Sequence, residues 1–479
     1  MKDSKNDLIL DVIMKIMYAV QVFISALALI LLYQSRLLPN KYYIVFVAVI
    51  VILLTIDFLL MFVSKRIKVI GLILGLIIII AASIGIVYLN KTNDFIEQIA
   101  SVDVKTDNMI VVVKNSDPAE TLLQAYNYRF GIQAVTDTEN TDLMLDEIEG
   151  LLNRELFIEE YDSFEELGEA LLQGRVNAII YNEAYQGIIE DAVEDFDTET
   201  RILYQYGVHT EIDIIQSSPD EVKEPFSIFI SGIDVRGPIT TNSRSDVNII
   251  MTVNPEKKKI LLTTTPRDYY VEIPGISGGQ KDKLTHAGIY GVDYSIKTLE
   301  ALYDTEIKYY VRLNFESFSE IVDALGGITV DSEIAFTTRH GNYEISEGTN
   351  ALDGEQALGF VRERYSFMDG DNQRGKNQQL VLTAIIDKLL SPQILTNYTT
   401  VLAAAEGGIQ TNMSAETMAL FVQYQLDIGI DYEVESIAAI GTNDRQVCFS
   451  GGSKALSVMQ PHETTVNTIK EKIREVLSE

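Results

Sequence analysis

Phe226-Ser-Ile-Phe-Ile-Ser-Gly-Ile-Asp234 reads as a single apolar strand that ends on a carboxylate. Just upstream, Ser217–Lys223 is polar and holds a Ser-Pro pair, which marks a domain boundary. Downstream, strands at Val247–Val253, Lys259–Thr265 and Tyr309–Leu313 alternate with helical patterns near Val292–Leu302 and Phe315–Leu325. Gly326-Gly327 supplies the left-handed stop for the second of these helices. Ile328-Thr-Val330 follows, then a helix opened by Asp353 with Gln356 three residues on, then a longer helix through Gln378–Leu390. This order predicts an α/β domain over 226–392, a central sheet covered by helices on both faces. Helical runs at Glu416–Leu426 and Val466–Leu477 flank a strand-like Val434–Ile440, so 393–479 is read as a C-terminal extension of that domain.

Strand ends in α/β folds open into ligand crevices, and polar groups gather at these ones. Asp234 closes the first strand, Arg244 and Asp246 precede the second, and Arg267 follows the third in Thr265-Pro-Arg-Asp268. Alone, each carboxylate reads as a turn cap or a surface ion pair. Together with Arg244 and Arg267, Asp234 and Asp246 read as hard oxygen ligands for Mg²⁺, which typically takes one or two protein carboxylates and leaves the rest to water and phosphate. Three more arginines crowd one stretch: Arg362 and Arg364 in Phe360-Val-Arg-Glu-Arg-Tyr365, then Arg374. Residues two apart share a side only in extended chain, so the helix from Asp353 is expected to end near Val361 with both arginines pointing into the cleft. Arg374 and Gln378, four apart, share a helix face. Asp371 is placed to orient Arg374, and Lys376 reads as exposed. Guanidinium groups clustered in an acidic chain point to a phosphorylated ligand, whose oxygens match the planar fork two at a time.

Between Asn108 and Tyr206, β-rich runs (Met109–Lys114, Val176–Tyr181, Ile202–Tyr206) alternate with helices through Met144–Leu152 and Ser163–Leu172, the second with the capping-box spacing Ser163-Phe-Glu-Glu166. Residues 100–222 are thus read as a small α/β accessory domain, and the acidic stretch Glu190–Glu199 as a solvated loop. Ahead of it, residues 1–90 carry apolar runs near Ile16–Tyr33, Tyr43–Val63 and Val69–Leu89, each long enough to cross ~30 Å of hydrocarbon. Lys2, Lys5, Lys15, Lys65, Arg66 and Lys68 fall on one side of these spans and Arg36, Lys41 and Lys91 on the other. The positive-inside rule then puts the N-terminus in the cytoplasm and everything after Lys91 outside, as a multi-pass protein of the cell membrane. Asp57, within the second span, reads as a carboxylate turned toward a neighbouring helix, with a proton or ion relay as the other reading.

Residues 1–90 hold eight Lys/Arg and four Asp/Glu; the remainder holds 30 and 65. So acidic a surface disfavours nucleic acid as a partner. The single cysteine, Cys448, cannot form an internal disulfide, and four scattered histidines offer no zinc pattern.

Several of these stretches, in order across 226–392, resemble the motifs of the LytR-CpsA-Psr family: Ile233-Asp-Val-Arg236, Ser243-Arg-Ser-Asp246, Pro266-Arg267, Asp282-Lys-Leu-Thr-His-Ala287, Val322-Asp-Ala-Leu-Gly-Gly327, Leu352-Asp-Gly-Glu-Gln-Ala357 and the Arg362, Arg364, Arg374 set. Three spans followed by an accessory domain resemble the capsule-type CpsA members of streptococci. The resemblance implies a Gram-positive membrane phosphotransferase that moves a glycan 1-phosphate from a polyprenyl pyrophosphate carrier to peptidoglycan, with Mg²⁺. It further implies Asp234 and Asp246 as the acid residues, and Arg244, Arg267, Arg362, Arg364, Arg374 and Gln378 at the pyrophosphate. Two positions depart from the pattern: Asn377 stands where many relatives have a second basic residue, and Gly291-Val292 where they have Gly-Gly. Partners would then be the lipid-linked polysaccharide, peptidoglycan, the membrane and other capsule-assembly membrane proteins. A membrane regulator that binds the lipid-linked glycan without transferring it, and a pyrophosphatase that releases it, use the same site.

Overall fold

The computed structural model describes residues 2–233, 238–367, 370–390, 394–429 and 432–478, with backbone alone at 2–8, 371, 390, 394–396 and 398. Three N-terminal helices, α1 (Lys2–Gln34), α2 (Asn40–Leu60) and α3 (Lys65–Ala100), are long and apolar enough to cross a membrane. They overrun the apolar runs of the sequence. Past Leu89 the chain turns polar, but nothing there breaks a helix, so α3 continues to Ala100 and packs on Ile394–Ala405 and Ala415–Ile428 of the last domain. Arg36 in the α1–α2 loop pairs with Glu416 at 2.7 Å, and Lys41 at the start of α2 pairs with Asp427, which puts that loop on the same side as the folded domains. Asp57 is buried against α3. A Cβ at Gly71 or at Gly75 would come within 3.0 Å of its carboxylate oxygens, so glycine is what lets α3 approach.

The next unit is a five-stranded sheet of β1 (Val104–Lys114), β2 (Arg129–Gln133), β3 (Phe157–Tyr161), β4 (Ala178–Asn182) and β5 (Thr200–Glu211), ordered β3-β2-β4-β1-β5. Met109, Val111 and Val113 of β1 face one core with helix α4 (Thr138–Leu152), while Ile110 and Val112 face another with α5 (Phe164–Leu172) and α6 (Gln186–Ala192). Burial on both faces explains the unbroken apolar run. Ser163 caps α5 by accepting from the Glu166 amide at 3.2 Å. Glu190–Glu199, expected as a loop, instead ends α6 and forms the short helix Phe196–Glu199, because Ile188, Ile189 and Phe196 anchor it to the core. Ile289, from the following domain, completes that same core.

The last domain is built on a six-stranded mixed sheet. From one edge it runs Ile409–Thr411, Tyr309–Asn314, β6 (Phe226–Ile233), β7 (Ser245–Asn254), β8 (Lys259–Thr264) and Glu433–Ala438. Both edge strands thus come from beyond residue 393. On one face Phe229, Ile250 and Leu261 pack solidly against the helices Val292–Tyr303 and Glu463–Leu477. On the other, the helices Phe315–Ala324 and Asp371–Leu390 cover the sheet.

Behind the sheet, His286 Nδ1 lies 2.6 Å from Asp282 Oδ1, and Ser450 donates its backbone amide (3.0 Å) and its hydroxyl to Asp282 Oδ2. Serine, histidine and aspartate meet here, yet Asp282 and His286 have fully buried side chains and Ser450 faces the same ring nitrogen as the carboxylate, so the trio is a structural knot tying down the connection between the paired strands Gly441–Val447 and Ala455–Pro461. Burial works to raise the Asp282 pKa, but His286 and Ser450 outweigh it and hold the carboxyl below its ordinary 3.8. A depressed folded pKa contributes stability that is present above the unfolded value and lost as pH falls through the folded one. Asp282→Asn is therefore expected to cost about 1–3 kcal/mol at pH 7 and to shrink that deficit below pH 4. Thermal unfolding of the solubilised protein from pH 7 to pH 3 checks this; a deficit independent of pH would refute it.

Candidate functional site

Strand direction builds the site. β7 runs antiparallel to both β6 and β8, so its first residues lie at the same end of the sheet as the last residues of its two neighbours. Arg244 and Asp246 at the start of β7 thereby meet Arg267, just past β8. Asp246 Oδ1 accepts from Arg267 Nη1 at 2.9 Å and from Thr285 Oγ1 at 3.4 Å. Asp268, which the sequence reading passed over, lies 3.8 Å from Arg267 Nε, 3.6 Å from Lys283 Nζ and 3.6 Å from Arg364 Nη1, and so gathers three cations.

The opposite rim is the helix Gly354–Arg362, opened by a full capping box between Asp353 and Gln356. Arg362 is its last residue, and Glu363 is already extended. Glu363 points inward, buried, and its carboxylate accepts from the amides of Arg364 (3.0 Å), Ser366 (2.9 Å) and Arg339. Burial would raise its pKa, but the backbone amides of Arg339, Ser366 and Tyr365 hold it below the usual range. Anchored this way, the turn sends Arg362 and Arg364 into the cleft. The Arg362 guanidinium sits 4.8 Å from the centre of the Phe315 ring, and Arg364 donates to the Tyr365 hydroxyl at 2.6 Å, which pulls that phenol below its ordinary pKa. Arg374 and Gln378, both buried, enter from the helix Asp371–Leu390.

One cavity of about 340 Å³ collects Asp246, Arg267, Arg362, Arg364, Arg374 and Gln378. Arg244 lines an adjoining cavity together with Asp246, Arg267 and Arg362. Asp234 and the Asp371 side chain lie outside the described residues. Arg339 and Tyr365 also line the first cavity and were not anticipated. Tyr365 had a signal, since it ends the Arg-Glu-Arg-Tyr run; Arg339, in a short hairpin far upstream, had none. Asn377 faces away from the cleft and donates to the Phe360 carbonyl at 3.2 Å. Burial works to raise the Asp246 pKa, but Arg267, Arg374 and Arg244 override it and keep the carboxyl ionised below its usual range.

A second chamber, about 270 Å³ and almost wholly apolar, lies between the sheet and its covering helices. Ile228 and Ile230 of β6 face it while Phe229 faces the core, the period-two alternation of a strand. Phe318, Ile321, Val381 and Leu382 form its roof. Val247, Phe315, Val361 and Gln378 line both this chamber and the arginine cavity, so the two adjoin.

Comparison with known proteins adds to this geometry. The model of the LytR_cpsA_psr family matches residues 193–475. The chain is 37% identical over 198 residues to the polyisoprenyl-teichoic acid–peptidoglycan teichoic acid transferase TagU of Enterococcus faecalis, covering 41% of this chain and 64% of that protein. It is 38% identical over 196 residues to the Bacillus cereus protein of the same name, covering 41% and 63%. The chain thus spans just under two thirds of the length of these relatives. Among solved structures, B. subtilis TagV aligns with 53% of this chain and 98% of its own at 25% identity and a TM-score of 0.45. TagT bound to LI-WTA aligns with 55% and 94% at 30% identity and a TM-score of 0.44.

Proposed function

The chain belongs to the LytR_cpsA_psr family, and from that premise we propose that it is a membrane-anchored transferase moving a glycan 1-phosphate from a polyprenyl diphosphate carrier to peptidoglycan. The observation that carries the reading is the adjacency of two unlike chambers: an arginine-lined cavity beside an apolar one. Few ligands call for both, and a lipid diphosphate does, with its head on the guanidinium groups and its tail along Ile228, Ile230 and the covering helices. The relatives' names, which carry polyisoprenyl-linked teichoic acid and peptidoglycan, support the same class of substrate. Within that class we read the glycan as capsular polysaccharide, since three apolar helices and an accessory domain precede the family domain. The charge bias of the loops supports an outside location for the site, with the N-terminus in the cytoplasm.

In this reading a wall hydroxyl attacks the sugar-proximal phosphorus, the bond from that phosphorus to the bridging oxygen breaks, and polyprenyl phosphate leaves with the electron pair while the hydroxyl proton passes to the departing phosphate or to water. Charge grows on the bridging and equatorial oxygens. Arg267, Arg362, Arg364 and Arg374 meet it from side chains already fixed by packing and ion pairs, so stabilisation is preorganised electrostatics. Asp246 is held too acidic to serve as an effective base. Its hard, ionised oxygens in a phosphate-sized cavity fit Mg²⁺, which needs only one or two protein carboxylates, and no group of three or more candidate ligands occurs among the described residues. Asp246, with Asp234, would hold the ion, which would offset charge on the diphosphate oxygens.

The test is mass spectrometry of products formed from lipid-linked glycan with and without peptidoglycan. Expected is glycan 1-phosphate attached to peptidoglycan, with polyprenyl phosphate released only when the acceptor is present. Release without acceptor would replace the reading by hydrolysis, and binding without turnover would replace it by ligand sensing.

A further inference from the structure

The arginine cavity has a polar neighbour. Asp246, Arg267 and Arg362 line both it and an adjoining cavity of about 400 Å³ whose far wall belongs to the accessory domain: Glu183, Gly187 and Glu190, in and just before α6. The near wall is Thr241–Arg244, the loop that delivers Arg244. That loop is fastened to the accessory domain. Thr106 on β1 donates its amide to the Thr240 carbonyl (2.8 Å) and accepts the Asn242 amide on its own carbonyl (2.9 Å), and Asn242 Nδ2 donates to the buried Asp107 at 2.9 Å. Arg244 packs so tightly on α6 that a Cβ at Gly187 would lie 2.6 Å from its guanidinium carbon, and it pairs with Asp191 at 3.4 Å. The two walls are therefore held in fixed register.

The near wall of this cavity holds hydrogen-bonding capacity that the protein does not use itself. Thr241 and Asn242 are only 4% and 3% exposed, they line it, and their Oγ1 and Oδ1 atoms have no partner among the described residues. Resting on the proposed function and deepening it, we propose that the interdomain cavity is a saccharide subsite, in which accessory-domain carboxylates bind the first sugar of the lipid-linked glycan, an uncharged and hydroxyl-rich one. The order of the chambers carries the assignment. Apolar chamber, arginine cavity and polar cavity follow one another as tail, diphosphate and sugar follow one another in the lipid-linked substrate, and only the arginine cavity touches both of its neighbours through shared residues. Chemistry agrees with the order. Glu183 and Glu190 accept hydrogen bonds from hydroxyls while repelling a further phosphate or an acidic sugar, so they also keep the diphosphate from sliding out of the arginine cavity.

The test uses the full chain in nanodiscs and two probes, undecaprenyl diphosphate and undecaprenyl diphosphate carrying one glucose. The readout is the ratio of their dissociation constants, and the sugar-free probe reports that a variant still folds and binds diphosphate. For the Glu183→Gln/Glu190→Gln variant the ratio is expected to move against the glucosyl probe by roughly tenfold, the loss of charge-assisted hydrogen bonding. An unchanged ratio, with both probes bound, would overturn the subsite and leave the diphosphate reading standing. Failure of the unaltered protein to bind either probe would remove the diphosphate reading, and the subsite with it.

Discussion

Arg362→Ala is expected to lower the rate of glycan transfer by roughly 10³-fold or more, and Arg267→Ala to do the same, the scale on which an arginine facing a transferring phosphoryl group acts. The two residues reach the cavity by different routes. Arg362 is the last residue of a capped helix with its guanidinium on the Phe315 ring, whereas Arg267 follows a sheet strand and is held by Asp246. A shared loss from such unlike scaffolds would reflect a shared ligand. The loss should fall on kcat as well as on KM, because charge accumulates on phosphate oxygens as the bridging bond breaks and a preorganised cation gains most there. Lysine at position 362 should recover little, since a point charge replaces a planar fork and the ring contact is weakened. Arg267→Ala carries a second consequence: Asp246 loses its leading partner and titrates higher, so the pH profile of that variant should shift upward while that of Arg362→Ala does not. Single-turnover transfer, with circular dichroism to verify folding, checks these expectations. Unchanged turnover in both variants would reject the assignment.

What could be read from the chain is what local chemistry specifies. Asp353 and Gln356 make their reciprocal cap, with hydrogen bonds of 2.9 and 3.1 Å, and Gly326 and Gly327 both take φ +77° at the end of the preceding helix. Two-residue spacing placed Arg362 and Arg364 on one side because the helix stops at Arg362 and Glu363 turns inward. What could not be read depends on contacts between segments far apart in sequence. The strands Ile409–Thr411 and Glu433–Ala438 complete the central sheet only because Tyr309–Asn314 and β8 offer them edges. β2 and β3 are short, and β3 exposes Phe157 and Ile158, so no alternation marks them. Arg339 owes its place in the cavity to a hairpin whose pairing no local pattern announces, and Glu190 owes its place to the docking of an entire domain. The apolar chamber is the most instructive case. Its lining of Ile, Val, Leu and Phe is what any packed core requires, so composition alone cannot separate a chamber from a core.

Filling that chamber supplies the complementary result. Ile230 lies mid-strand in the centre of the sheet yet is only half-buried, because its side chain faces the chamber and not the packed core on the other side of Phe229. Ile230→Trp puts an indole into about 270 Å³ of apolar space, so the overpacking cost of about 1–3 kcal/mol usual for a solid core should be largely relieved. For a glycan carried on a full-length polyprenyl chain, kcat/KM is expected to fall at least about 100-fold, the equivalent of three to four methylene groups denied burial at ~0.8 kcal/mol each. For the same glycan diphosphate on a short, water-soluble alkyl chain, kcat/KM should change little, because such a chain draws little binding energy from the chamber. The contrast with Arg362→Ala is what gives the pair its force. Loss of the guanidinium strikes the diphosphate common to both substrates, so transfer should fall for long and short chains alike. Obstruction of the chamber should penalise only the long one. Equal losses on both chains with Ile230→Trp would show the indole acting on the arginine cavity through Val247 and Val361, which Ile230→Phe, a smaller filler, would separate from obstruction; no loss on either chain would mean the lipid lies elsewhere and would refute the chamber as the seat of the tail.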